Sequence, residues 1–253
     1  MKIVVIGGTG LIGSKVVSLL AEHGHEAVAA SPNTGVNTLT GEGVAEALNG
    51  ADVVVDVSNS PSFADADVLD FFTRSTGILL DAEREAGVDH HVALSIVGAD
   101  RLPGSGYLRA KVAQEALITA SGQPYTILRA TQFYEFLPRI ADSATVDGTV
   151  HLPVGLMQPI AAAEVSAAVA KAAVAEALNG VAEIGGPERL PMSEYVERAL
   201  RATGDERTVV GDPAAQYFGT LLEGDELTTT HPDATISATT YEAWSAAQPA
   251  AAK

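Results

Sequence analysis

The stretch Lys2-Ile3-Val4-Val5-Ile6-Gly7-Gly8-Thr9-Gly10-Leu11-Ile12-Gly13 decides the reading of this chain. An apolar run of strand length meets a cluster of glycines, and an amphipathic segment follows at once. Gly7, Gly10 and Gly13 have GxxGxxG spacing. Glycine at such a turn lets backbone N–H groups approach a pyrophosphate with no Cβ in the way. The N-terminus of the following helix adds partial positive charge. The third glycine allows close helix–strand packing.

The same alternation continues along the chain. Leu11–His23 has helical periodicity and stops at Gly24. Glu26–Ala30 is a second strand, Gly43–Asn49 a short helix, and Asp52–Val57 a strand apolar enough to be buried on both faces. Asp65–Ala86 is a long helix ending at Gly87. Val92–Val97 and Tyr125–Arg129 are strands flanking a helix from Tyr107 to Ala120. Alternating strands and helices predict an α/β fold, a Rossmann-type doubly wound parallel sheet that binds ligands outside the carboxyl ends of its strands. Residues 1–132 form the dinucleotide-binding core in this reading. Residues 133–253 form a mixed C-terminal part that returns to the core and caps the substrate site. Within it, Ala163–Leu178 and Ser193–Thr203 are expected helices, the second capped by Ser193. The tail Gln248–Lys253 is expected to fray. The heptapeptide Val-Ala-Glu-Ala-Leu-Asn-Gly occurs at Val44–Gly50 and at Val174–Gly180, and both copies read as helix ends with an Asn-Gly stop.

Composition narrows the function. The chain has 253 residues, no cysteine, and 15 Lys+Arg against 32 Asp+Glu, a formal charge of −17. Disulfides, thiolate metal sites and cysteine nucleophiles are excluded. The acidic balance argues against nucleic-acid and anionic-membrane partners. No apolar run is long enough to span a bilayer, and Ile3–Ile6 is far too short for a signal-peptide core, so a cytoplasmic protein is expected. The six histidines show no metalloenzyme spacing, so no metal site is expected. The expected partner is a small-molecule substrate; the oligomeric state is left open.

The residue that would bind an adenosine ribose should end the second strand. There the chain reads Ala30-Ser31-Pro32-Asn33-Thr34, with no carboxylate to hold the ribose or repel a 2′-phosphate, and no arginine to clamp one. Ser31, Asn33 and Thr34 offer donors, so NADP(H) is preferred and NAD(H) remains possible.

Ser95 lies toward the carboxyl end of a central strand. Tyr107 and Lys111 follow at the start of a helix, four residues apart and on one face. An ammonium beside a phenol lowers the tyrosine pKa, and a tuned tyrosine exchanges a proton with a carbonyl or alcohol oxygen. Ser95 would orient that oxygen. Lys111 would also hold nicotinamide-ribose hydroxyls. The plain alternative is a surface helix with a solvated lysine.

With these residues the chain resembles the atypical short-chain dehydrogenase/reductases, in the NmrA-like and NAD(P)H-binding branch. The resemblance is carried by GGTGLIG at Gly7–Gly13, ADVVVDVS at Ala51–Ser58, LSIVG at Leu94–Gly98, YLRAK at Tyr107–Lys111 and YTILRATQF at Tyr125–Phe133, with QPIAAAEV at Gln158–Val165 and GGPE at Gly185–Glu188. It implies a Rossmann-type sheet, NAD(P) binding and reduction of a carbonyl or activated alkene. It assigns Gly7, Thr9, Gly10, Leu11 and Ile12 to the pyrophosphate, Val57 and Ser58 to the adenine-to-ribose path, and Thr131 to the nicotinamide. The expected function is an NADP-dependent oxidoreductase acting on a small to medium apolar substrate. Two other readings stand beside it: a non-enzymatic NAD(P)-sensing regulator, and an epimerase or dehydratase that retains its nucleotide.

Overall fold

The computed structural model describes residues 1–248. The expected tail therefore lies, from residue 249 onward, outside the described residues. Seven parallel strands form the central sheet: β1 (Lys2–Ile6), β2 (Glu26–Ala30), β3 (Val53–Asp56), β4 (His90–Ile96), β5 (Tyr125–Ala130), β9 (Gly180–Gly185) and β14 (Thr235–Ile236). Their order across the sheet is β14-β9-β5-β4-β3-β1-β2. The helices are α1 (Gly13–Glu22), α2 (Val44–Leu48), α3 (Asp65–Ala86), α4 (Gly106–Ala120), α5 (Leu137–Ser143), α6 (Ala162–Val174), α7 (Met192–Thr203) and α8 (Tyr241–Ala246). Short outer strands complete the chain: β6 (Thr145–Val146), β7 (Thr149–Leu152), β8 (Leu156–Met157), β10 (Leu190–Pro191), β11 (Thr208–Gly211), β12 (Gln216–Tyr217) and β13 (Thr220–Leu221).

Strand alternation sends successive side chains to opposite faces. Ile3, Val5, Val53 and Val55 pack with Val16 and Leu20 of α1 and with Val165 and Val169 of α6. Val4, Ile6 and Val54 face the other way, onto Val44, Leu48 and Leu79 of α2 and α3. Both faces are thus covered, which is what makes the strands apolar throughout. The fold is the expected α/β, Rossmann-type parallel sheet. After residue 132 the chain supplies α6, β9 and β14 to this core. It also builds a separate apolar cluster, with Tyr134, Leu152, Met157 and Tyr195 packed on Ala99, Leu102 and Leu108.

Two local expectations are corrected. Helix α6 ends at Val174, where Ala175 turns extended (φ −88°, ψ 168°), not at Leu178. The repeated heptapeptide is therefore helical through Leu48 in its first copy and irregular after Val174 in its second, where Asn179 takes a positive φ of 48°. The cause is tertiary: Leu178 N–H donates to Thr126 Oγ1 at 3.0 Å and Asn179 N–H to the Tyr125 carbonyl at 2.7 Å, drawing the segment onto β5. Helix α7 begins at Met192 with Pro191 as its N-cap, so Ser193 lies in the first turn and caps nothing.

Candidate active site

Strand order reverses direction at β1, whose neighbours are β2 on one side and β3 on the other. Parallel sheets open a crevice at such a point. The Gly7–Ile12 turn sits there. Gly7 has φ +78°, and a Cβ on it would meet Ser58 N and Val57 O at 2.9 Å, so the turns leaving β1 and β3 touch. A Cβ on Gly13 would lie 2.2 Å from Gly7 O. The turn is closed by Gly10 N–H donating to Gly7 O at 2.9 Å. Thr9, Gly10 and Leu11 are exposed, and Ile12 and Gly13 are buried. The N–H groups of Leu11, Ile12 and Gly13 donate to no protein acceptor among the described residues. They are the orphan donors of a helix start, aimed out of the carboxyl edge of the sheet.

Unpaired buried polar atoms follow the ends of β2 and β5, and others lie at Ser75 and Thr76 of α3, at His91 and at Gln123. The hydroxyls of Ser31 and Thr131 are buried without partners, as are both amide atoms of Gln132. Buried polar groups are nearly always paired, so these atoms fit a polar ligand along the strand ends. Ser31 follows β2, and its N–H donates to Thr34 Oγ1 at 2.9 Å. Thr34 in turn donates to the Ser31 carbonyl at 3.0 Å, so its hydroxyl is spent on the turn. Asn33 is exposed. Val57 and Ser58 are half-buried. Ser58 Oγ donates to Asp56 Oδ1 at 2.6 Å.

The Ser95, Tyr107 and Lys111 side chains have three different sets of partners, and no hydrogen bond joins any two of them among the described residues. Ser95 Oγ donates to Glu115 Oε1 at 2.5 Å. Glu115 is held in a fork by Arg129, at 2.9 Å from Nε and 2.6 Å from Nη2, and Arg129 reaches Asp100 at 2.9 Å. Lys111 is buried; its Nζ donates to the Leu94 carbonyl at 2.9 Å and to Gln114 Oε1. The ammonium also lies 4.4 Å from the centre of the Phe72 ring. Gln114 passes the chain on to Asp56 Oδ2 at 2.9 Å. Burial lowers the Lys111 pKa to about 8, against the opposing pull of Asp56 and Glu115.

Tyr107 is half-buried, and its hydroxyl donates to Asn59 Oδ1 at 3.1 Å. Burial pushes its phenol up to about 12, while the Asn59 hydrogen bond works the other way. The expected lowering by Lys111 is thus corrected: the ammonium is bound to Leu94, Gln114 and the Phe72 face, and desolvation of the phenol wins. The ring is surrounded by Phe63 at 5.4 Å, Phe72 at 6.2 Å and Phe218 at 5.2 Å between centroids.

Asn59, Gln114 and Glu115 join the site as partners of Tyr107, Lys111 and Ser95. The last two carried a signal: they continue the Tyr107–Lys111 helical face by three and four residues. Asn59 lies in an irregular loop and carried none. Among the described residues, no group of three or more His, Asp or Glu is placed to hold a metal ion. No helix there is long and apolar enough to cross a membrane.

A glycine turn at a parallel-sheet switch point, opening a helix beside orphaned hydroxyls, defines a dinucleotide-binding α/β protein. Residues 7–179 match the family model described as NAD(P)H-binding, and the chain belongs to that family. Among curated relatives it is 32% identical over 168 residues to the isoflavone reductase homolog IRL of Zea mays, covering 55% of this chain and 51% of that one. It is 26% identical over 151 residues to the photosystem II assembly factor Ycf39 of Cyanophora paradoxa, covering 54% and 47%. The matches thus span about half the length of these relatives. Among solved structures, the UDP-glucose 4-epimerase of Thermus thermophilus in complex with NAD is similar at TM-score 0.71 and 22% identity, with 90% of each chain covered. The NADPH-dependent quinone oxidoreductase of Escherichia coli gives TM-score 0.63 at 18% identity, covering 83% and 78%. These neighbours share the fold of NAD(P)-binding oxidoreductases and epimerases.

Proposed function

We propose that the protein is an NADP(H)-preferring oxidoreductase that reduces a carbonyl or an activated alkene of a small to medium apolar substrate. The observation that carries this reading is the Tyr107 hydroxyl: a half-buried phenol, ringed by apolar side chains, on the helix that packs beside the nucleotide crevice. Bound NAD(P)H supplies the hydride. The Gly7–Gly13 turn, through Gly7, Thr9, Gly10, Leu11 and Ile12, holds the pyrophosphate with backbone donors. Ser31 and Asn33 face the adenosine ribose and its 2′-phosphate, Thr34 supports them by fixing the turn, Val57 and Ser58 line the adenine side, and Thr131 faces the nicotinamide.

As negative charge develops on the substrate oxygen, the Tyr107 O–H bond breaks and its proton moves to that oxygen. Water then reprotonates the phenolate. A phenol raised to about 12 is protonated across the physiological range. It therefore serves reduction, where a proton is given, better than alcohol oxidation, where one is taken. Lys111 and Ser95 act as positioning residues. Lys111 ties α4 to the Leu94 carbonyl, and Ser95 ties β4 to Glu115 on the same helix. The segment from Phe133 onward closes the substrate side.

A second reading, a nucleotide-binding regulator without turnover, is favoured by one feature: the Ser95 hydroxyl and Lys111 ammonium are both spent on packing. A panel of aldehydes, ketones and enones, followed by loss of nicotinamide absorbance with NADPH, separates the two. Turnover of at least one class supports the reductase. Tight nucleotide binding with no turnover across the panel supports the regulator.

A further inference from the structure

The β12–β13 hairpin carries a residue its turn does not favour. Gln216 pairs with Leu221 and Tyr217 with Thr220, leaving a two-residue loop of Phe218 and Gly219. Both have positive φ, +46° and +78°. Such loops ordinarily take Asn or Asp at the first position, because a side chain branching from a left-handed backbone is strained. The Phe218 ring packs edge-on against Tyr217 at 4.7 Å, so aromatic contacts offset the strain. Strained residues of this kind concentrate at ligand clamps and active sites.

The ring lies over Tyr107, at 5.2 Å and 30° between planes. It also approaches Phe63, on the loop after β3, at 5.7 Å. Phe63 meets Tyr107 edge-on at 5.4 Å. Three rings from three distant segments thus form one apolar surface around the phenol. It is open on the outside: Phe63 is 54% exposed and Phe218 42%. The hairpin is also seated firmly. A Cβ on Gly104, just before α4, would lie 2.6 Å from Thr220 Oγ1, so the hairpin backs directly onto the loop that presents Tyr107.

We propose that Phe63, Tyr107 and Phe218 form a stacking surface for a planar aromatic ring of the substrate, placing an aryl-conjugated carbonyl beside the Tyr107 hydroxyl. This rests on the reductase reading for its chemistry, but the stacking itself needs no turnover. Aromatic rings recover favourable offset or edge contacts with a planar partner that a saturated ring of similar size lacks.

The test is direct binding, by calorimetry, of benzaldehyde and of the similarly sized cyclohexanecarbaldehyde to the NADP⁺-saturated protein, which has no hydride to transfer. The wild type should bind the aryl aldehyde at least tenfold more tightly. Phe63→Ala and Phe218→Ala should each remove most of that preference, weakening the aryl aldehyde more than the saturated one, and Phe218→Tyr should keep it. Phe218→Gly suits the left-handed turn, so it should melt no lower than the wild type and still lose the aryl preference. That split separates a ligand role from a structural one. Equal affinity of the wild type for both aldehydes, or an intact preference in Phe218→Gly, would overturn the proposal. An aryl preference without NADPH turnover would keep the stacking surface and remove the reductase reading. Turnover without aryl preference would do the reverse.

Discussion

The Tyr107 hydroxyl donates to Asn59 Oδ1 across 3.1 Å, tying the first turn of α4 to the loop that leaves β3. The same amide oxygen accepts the Ser60 N–H at 2.9 Å, so the acceptor is fixed by its own loop. One turn along α4, Lys111 is tied to β4, and Gln114 beyond it reaches Asp56 at the end of β3. The helix carrying the candidate proton donor is therefore pinned to two adjacent strand ends, next to the glycine turn that meets Val57 and Ser58. Proximity of this kind is how a scaffold holds a reacting group at a cofactor.

Gly10→Glu should fold and lose nucleotide binding. Gly10 is exposed and a Cβ there has only Gly7 O near it, at 3.3 Å, so the longer side chain projects into the crevice with a charge that repels a pyrophosphate. Gly13→Ala should lose stability instead, because its Cβ would lie 2.2 Å from Gly7 O and the turn must open. Fluorescence titration with NADPH and thermal melts of both variants check this pair. Full nucleotide affinity in folded Gly10→Glu would refute the placement.

NADPH should bind more tightly than NADH, by about two- to tenfold, the worth of one neutral hydrogen bond of about 0.5–1.5 kcal/mol. The unpartnered Ser31 hydroxyl is the donor in question. Ser31→Asp should reverse the order by repelling the 2′-phosphate and accepting from a ribose hydroxyl. Parallel titrations with both nucleotides decide it, and an unchanged ratio in Ser31→Asp would place the 2′-phosphate elsewhere.

Stability should fall as pH rises above about 6.5, the ordinary histidine value. Burial alone would lower the His91 pKa, but the Glu83 carboxylate at 2.8 Å, aided by Asp56, raises it overall. A raised folded-state pKa gives stability that is complete below the unfolded value and lost as pH passes through the folded one. His91→Leu combined with Glu83→Gln should remove this pH dependence, whereas His91→Leu alone exchanges it for that of an unpaired buried carboxylate, which also favours low pH. That single variant should also cost about 3–5 kcal/mol, since the buried Glu83 carboxylate then stands alone. Urea unfolding from pH 5 to 9 measures both; a wild-type profile flat above 6.5 would contradict the pairing.

The fold was legible because its signals were local: glycine placement, apolar runs of strand length and helical periodicity over α1, α3 and α4. What escaped was set by distant partners. Val44–Gly50 and Val174–Gly180 are the same seven residues, yet only the first is helical through Leu48, because only the second finds Tyr125 and Thr126 beside it. The site divides in the same way. Tyr107 and the glycine turn could be read from spacing. Spacing could not show that Lys111 turns inward to Leu94 and Gln114, that Ser95 spends its proton on Glu115, or that the phenol's partner is Asn59. Those outcomes depend on which buried acceptor lies nearest once the sheet has formed.

In the proposed nicotinamide-dependent reduction, Tyr107 gives the proton. Tyr107→Phe removes one oxygen and keeps the ring that packs on Phe63 and Phe218. Measured together on wild type and Tyr107→Phe, NADPH affinity should stay the same. The rate of NADPH consumption with an accepted carbonyl substrate should fall about 10²–10⁴-fold, the usual loss of a general acid. An undiminished rate in a variant that binds NADPH normally would contradict the account.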